Sequence, residues 1–86
     1  MLLFTNYLGI RIIIPLNRVY EIKASGKTIT IDYDGGEITY LDNEGSAVAP
    51  KVETIRINFE NEDELDKIMR QFYKACNNKA GAFFFG

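Results

Sequence analysis

One segment of this chain, near its C-terminal end, has helical periodicity, and this restricts the fold more than any other feature of the sequence. On a helical wheel of residues 62–76, apolar and charged residues occupy opposite sides. Asn61 is a favourable N-cap residue, and Glu64 three positions later completes a pattern like a capping box. We therefore expect one amphipathic helix at about residues 62–76, ended by Asn77, Asn78 and Gly81. Its apolar side consists of Leu65, Ile68, Met69, Phe72 and Cys76.

The residues before this helix have strand patterns. In Thr28 to Asp34, apolar residues alternate with polar ones, which is typical of a half-buried strand. Other runs rich in β-branched and apolar residues predict further strands at about residues 2–14, 19–24, 37–41 and 52–59. The run at 2–14 holds one or two strands. The sequence thus predicts an α+β fold, an antiparallel β-meander of about five to six short strands followed by one C-terminal helix that packs on the sheet.

Turn residues divide these strands. Asp34-Gly35-Gly36 can adopt the positive φ angles of a hairpin turn, so we expect residues 28–34 to pair with residues 37–41 across it. The stretch from Asp42 to Pro50 is turn-rich and then featureless, and it is expected to be the longest loop. Residues 1–79 form one predicted domain, and residues 80–86 form an apolar tail.

Composition limits where such a protein works and what it binds. A 47% apolar fraction in 86 residues predicts a packed core, and a net charge of −2 disfavours strong binding to a polyanion. The single cysteine, Cys76, has no partner for an internal disulfide and is expected to be an inert thiol on the buried side of the helix, which fits a reducing cytoplasm. The N-terminal segment lacks the marks of a signal peptide, and no apolar run is long enough to cross a membrane.

Histidine is absent from the sequence, which removes the commonest general base and the usual nucleophile pairs and zinc sites. Carboxylates cluster near Asp32, Asp34 and Glu37 and again over residues 60–64, but Glu37 stands where a calcium-binding loop requires glycine. We interpret these groups as solvated turn and helix-cap charges. The sequence predicts no enzyme activity, no metal site and no cofactor.

Binding of single-stranded nucleic acid by the exposed sheet face is one alternative, because bases stack on aromatic rings while basic groups follow the backbone. The order of strands and helix resembles the general plan of small single-strand-binding domains of the transcription-coactivator type, and equally that of pleckstrin-homology-like modules. The candidate contacts are Arg18, Tyr20, Lys23, Lys27, Tyr33, Tyr40 and Arg56. Tyr20 and Tyr33 share faces with Ile22 and Ile31, which favours places in the core instead.

Three consecutive phenylalanines, Phe83, Phe84 and Phe85, end the sequence. They either fold back to complete the core of their own chain or dock on a neighbouring subunit or a partner protein. Our leading hypothesis is a non-enzymatic binding or assembly module that associates with itself, most simply as a dimer, through its sheet and helix face and this aromatic tail. A third hypothesis is a protein that sequesters a small ligand in a pocket at a subunit interface.

Overall fold

The computed structural model describes the backbone of residues 1–42 and 45–86 and the side chains of residues 1–36 and 51–86. Over that part of the chain there are six strands and one helix, so the fold class is α+β, as the sequence predicts. In chain order the elements are β1 (Leu2–Tyr7), β2 (Ile10–Pro15), a 3-10 turn (Leu16–Arg18), β3 (Val19–Ser25), β4 (Thr28–Asp42), β5 (Gly45–Asn58), α1 (Glu62–Asn77) and β6 (Ala82–Phe84).

The strands form two sheets of three. The first sheet has the order β2-β1-β6, and the second sheet has the order β3-β4-β5. The predicted run at residues 2–14 is two strands, because Leu8 and Gly9 form a two-residue turn with φ angles of 52° and 77°. Two positive φ angles are what a tight hairpin of this type requires. Tyr7 therefore lies opposite Ile10, and this register continues to Leu2 opposite Pro15.

The C-terminal tail is a strand of the first sheet. β6 runs parallel to β1, with Phe4 opposite Phe84. The Phe85 N–H donates to the carbonyl oxygen of Phe4 at 2.9 Å, and the Asn6 N–H donates to Gly86 at 3.2 Å. The antiparallel pairing expected from the sequence holds for the β1–β2 hairpin and for β3 to β5, whereas the last strand adds a parallel pair between the two ends of the described chain.

The predicted hairpin turn at Asp34-Gly35-Gly36 is wrong. Residues 28–34 and 37–41 belong to one strand, β4, which pairs with β5 on both sides of a bulge between Asp34 and Glu37. Gly36 does adopt a positive φ of 106°, and its N–H donates to Asp34 Oδ1 at 2.9 Å. The same residues that suit a turn therefore accommodate one extra residue in a long strand, because the pairing partner lies further along the sequence.

The expected loop from Asp42 to Pro50 is also wrong over most of its length. β5 begins at Gly45, which lies opposite Asp42. Asn43 and Glu44, which this prediction included, lie outside the described residues. Residues 45–50 have no alternating pattern of their own, and their strand conformation comes from hydrogen bonding to β4.

The helix begins where the sequence predicts it. The Asn61 side chain accepts a hydrogen bond from the Glu64 N–H at 2.9 Å. Leu65 and Phe72 are buried, but Cys76 is exposed, so the predicted place of its thiol on the buried side is wrong. The apolar side of α1 continues one turn beyond its last buried residue, Phe72, and only the earlier turns reach the core.

The end of α1 is a Schellman motif with lysine where glycine is usual. The Ala80 N–H donates to Ala75 at 2.9 Å, and the Lys79 N–H donates to Cys76 at 3.2 Å. Lys79 adopts the required left-handed conformation with a φ of 53°. The helix therefore ends through Lys79 and not through a left-handed asparagine or Gly81.

Both sheets and the helix contribute to one apolar core. Its fully buried members are Leu3, Ile14, Ile29, Ile31, Ile55, Ile57, Leu65, Phe72 and Phe85. Around them, partly buried residues such as Phe59, Ile68 and Phe83 complete the packing. Among the helical residues described there is no span long and apolar enough to cross a membrane.

Replacing Lys79 with glycine should stabilise the protein, because glycine adopts the left-handed conformation without the steric cost that a Cβ atom imposes. We expect Lys79→Gly to raise the free energy of unfolding by about 0.5–1 kcal/mol. Urea denaturation at fixed protein concentration measures the change. Lys79→Ala is the control, since alanine removes the charge but keeps the Cβ atom; a gain of equal size in this variant contradicts the explanation.

Candidate interaction surface

The outer side of the first sheet is apolar across all three strands. Side chains alternate along each strand, and Leu3 and Ile14 point into the core. Their neighbours Phe4 and Ile13 therefore point outward, where Phe4 lies opposite both Ile13 on β2 and Phe84 on β6. One row of large apolar side chains thus crosses the whole sheet. We call this surface the apolar face, defined as Leu2, Phe4, Ile13, Pro15 and Phe84.

Solvent reaches the apolar face in this chain. Leu2, Ile13 and Phe84 are 41%, 54% and 49% exposed. Of the eight large apolar side chains that are exposed in the described residues, five belong to the first sheet or its turn: Leu2, Leu8, Ile10, Ile13 and Phe84, with Tyr20, Val52 and Tyr73 elsewhere. Single exposed apolar side chains are common on proteins, but a contiguous group is typical of an interaction surface.

Charge is nearly absent from this sheet. Its three strands read LLFTNY, IRIIIP and AFF, so Arg11 is the one charged residue in them. Arg11 is exposed and lies beyond Ile13, near the turn end of β2. Covering the apolar face would therefore bury no carboxylate and would leave Arg11 at the margin, which avoids the desolvation cost of a buried ion.

The three predicted interface phenylalanines do not share one environment. Phe85 is fully buried and Phe83 is half-buried, whereas Phe84 points away from both and belongs to the apolar face. The ring centroids of Phe83 and Phe85 are 5.0 Å apart, and those of Phe72 and Phe85 are 5.2 Å apart. These rings complete the core of their own chain, and Phe84 is the one left available to a second molecule.

The second sheet has a polar outer side. Lys23, Thr30 and Arg56 lie opposite one another on β3, β4 and β5. In the adjoining row, Thr54 donates a hydrogen bond to Asp32 at 2.7 Å, and Glu21 pairs with Lys23 at 3.3 Å. Two basic side chains predicted to bind nucleic acid are therefore brought together, with acidic groups beside them.

The remaining predicted nucleic-acid contacts are dispersed. Tyr33 is half-buried against the core, on the side of the sheet opposite Arg56. Tyr20 is 56% exposed, not buried as its pattern favours, because an irregularity between Val19 and Glu21 breaks the alternation of β3. Arg18 lies in the 3-10 turn and Lys27 in the turn after β3, while the Tyr40 side chain lies outside the described part.

A groove of about 600 Å³ separates the β1–β2 turn from the end of β5. Tyr7, Leu8 and Phe59 line it together with Arg56 and Glu60. A smaller space of about 330 Å³ continues from it along α1 past Ile68. Volumes of this order suit a small ligand, although the groove is open and its carboxylates are exposed.

The described residues contain no cluster of three or more cysteines and carboxylates that could hold a metal ion. The exposed ion pair of Lys51 with Glu53, at 2.6 Å, raises the pKa of the Lys51 ammonium group through its hydrogen bond to the carboxylate. That shift keeps Lys51 protonated, which opposes any use of it as a base.

Comparisons with protein-family models, with curated proteins and with solved structures find no match to this chain. The candidate site therefore depends on geometry alone. Sequence reasoning pointed to Phe84 but missed Leu2, Phe4, Ile13 and Pro15. Their signal is present in the sequence, because residues 2–4 and 12–15 are apolar at both odd and even positions and so give a strand two apolar sides.

The different environments of Phe85 and Phe84 can be tested by truncation. Phe85→Ala leaves a cavity in the core and should cost about 3–5 kcal/mol of unfolding free energy, which is a large share of the stability of a domain this small. Phe84→Ala removes a half-exposed ring and should cost less than about 1 kcal/mol in dilute solution. Thermal and urea denaturation of the two variants measure the difference. Equal losses would contradict this assignment of the two rings.

Proposed function

We propose that this protein is a non-enzymatic assembly module that associates with copies of itself through the apolar face. The observation that carries the proposal is the row of Ile13, Phe4 and Phe84 across three strands, with two of its members about half exposed. Burial of this row against another molecule is favourable, because full burial of each side chain of this size contributes about 1.5–3 kcal/mol to the free energy of association.

The apolar face is large and continuous enough to favour a role in association over that of a patch that stays in contact with water. At roughly 200 Å² for each fully exposed side chain, Leu2, Ile13 and Phe84 present roughly 300 Å² of apolar surface. Half-buried Phe4 and Pro15 lie between them and make the patch continuous. A standard protein interface covers about 800 Å² on each partner, so this patch would form the apolar centre of a larger contact.

A second copy is the occupant that the chemistry favours. The face is apolar and without carboxylates, so it complements an identical face better than it complements a charged partner. Two identical faces that meet across a twofold axis form a closed contact, with each residue used twice. A face-to-face arrangement of sheets also keeps Arg11 at the margin, in contact with water.

Sedimentation equilibrium of the full chain tests the proposal. We expect the wild type to associate and the double variant Ile13→Thr/Phe84→Thr to weaken association at least tenfold, since it removes two large apolar side chains from the interface centre. Tyr73→Thr is the matched control, because Tyr73 is 59% exposed but lies on α1, away from the face. A wild type that remains monomeric up to about 1 mM removes the proposal.

The groove beside Phe59 favours, as a second candidate, the capture of a small apolar ligand. Tyr7, Leu8 and Phe59 would contact such a ligand, and the Asn58 amide lies at the same rim. Native mass spectrometry of protein purified from cells should then show a mass above that of the polypeptide. Phe59→Ala should reduce the bound fraction, and a wild type carrying no added mass rejects this candidate.

A further inference from the structure

We infer that copies of this chain pair through the outer edge of β2, in antiparallel orientation, so that two first sheets become one sheet of six strands. This inference rests on the proposed self-association and names a second contact within it. An edge strand carries unpaired N–H and C=O groups and is a ready template for another strand. The occupant of this edge is β2 of a second copy.

Three of the four edge strands in the described chain are protected against such pairing. β3 carries the Glu21–Lys23 ion pair and an irregularity after Val19. β5 carries the Lys51–Glu53 ion pair and exposed Arg56. β6 is only three residues long. Charges, bulges and short length are the devices by which natural sheets prevent pairing at their edges.

β2 has little of this protection. It is six residues long, pairs with β1 without a bulge, and carries Arg11 as its one charge. Ile10 and Ile13 are 64% and 54% exposed, and because they are three positions apart they lie on opposite sides of the sheet. The strand is therefore apolar on both sides, at an edge with no partner strand among the described residues.

The direction of the free backbone groups follows from the register with β1. The Leu16 N–H donates to the Met1 oxygen at 2.9 Å, so this pair is of the hydrogen-bonded kind. Hydrogen-bonded and non-hydrogen-bonded pairs alternate along an antiparallel ladder, which makes Ile14 and Ile12 hydrogen-bonded to β1. The N–H and C=O groups of Arg11 and Ile13 therefore point to the free edge. Pro15 presents only its C=O there, because proline has no N–H.

These groups fit a twofold pairing centred on Ile12. In that register, Ile12 lies opposite Ile12 of the second copy, and Arg11 lies opposite Ile13 of the second copy. The N–H and C=O groups of Arg11 and Ile13 on each edge all find partners, giving four hydrogen bonds across the axis. The two Arg11 side chains do not face each other, and Pro15 lies outside the ladder, where its missing N–H costs nothing.

The same axis places the apolar faces of both copies side by side on one surface, because it is perpendicular to the sheet. Arg11 lies on the same side of β2 as Ile13, so the two Arg11 side chains stand between the two apolar faces, near the axis. Their long stems can cover Ile13 of the second copy while the guanidinium groups stay in water. A second layer stacked over the axis would bury these charges, so edge pairing and the face-to-face contact are separate contacts.

Arg11→Pro tests the edge pairing, with Arg11→Ala as its matched control. Both variants remove the same charge, and only proline removes the outward N–H; neither breaks a hydrogen bond to β1. We expect Arg11→Ala to sediment like the wild type and Arg11→Pro to sediment as a smaller species, with at least a tenfold weaker association. Equal masses for the two variants, at equal helix and sheet content by circular dichroism, overturn the inference.

A crosslink keeps the inference testable if Arg11→Pro fails to fold. In a Cys76→Ser background, Ile12→Cys should form an intermolecular disulfide on mild oxidation, since directly opposed residues in a non-hydrogen-bonded pair bring their Cβ atoms to about 4.5–5.5 Å. Tyr73→Cys in the same background is the control. Crosslinking no faster than this control rejects the pairing. If Ile13→Thr/Phe84→Thr does not weaken association, the apolar-face contact is rejected and edge pairing still stands. A wild type that remains monomeric rejects both proposals.

Discussion

The first and last strands of the described chain pair with each other, and the core depends on that pairing. Parallel alignment of β6 with β1 brings Phe85 beneath the first sheet, where its ring is fully buried against those of Phe72 and Phe83. Phe72 belongs to α1, so the same ring cluster brings the helix into contact with the rings of β6 and Phe85. Without the return of residues 82–86, Leu3 and Phe72 would lose packing partners, and β1 would keep only one strand neighbour.

The two sheets differ in the polarity of their outer sides and in the protection of their edges. The outer side of the second sheet carries threonines and opposed charges that are exposed to solvent. Both of its edge strands are protected against pairing with another strand. The first sheet is apolar on both sides and is protected at one edge only, where β6 is short. A domain of 86 residues buries a smaller share of its surface than a larger one, and association offers a way to bury more of it. The position of exposed Ile13 and Phe84 fits such a role.

Local patterns in the sequence were sufficient for the elements that local interactions define. Asn61 and Glu64 mark the start of α1, and the alternation around Ile31 marks a half-buried strand. They were insufficient where pairing between distant residues decides the conformation. Gly36 suits a turn and a bulge equally, and only the presence of β5 opposite both halves of β4 selects the bulge. Phe83, Phe84 and Phe85 are three identical residues, and their different environments depend on which side of a strand each occupies.

Pairing between the two ends of the described chain also has a consequence for its synthesis. Of the described strands, β1 leaves the ribosome before the others, yet its parallel partner and the ring of Phe85 are supplied about 80 residues later. Before the later elements are made, the β1–β2 hairpin is a two-stranded unit, and such hairpins are at best marginally stable in water. Leu3 and Ile14 are covered in stages as the core residues of β4, β5 and α1 are made, and the core is complete only when residues 82–86 supply Phe85.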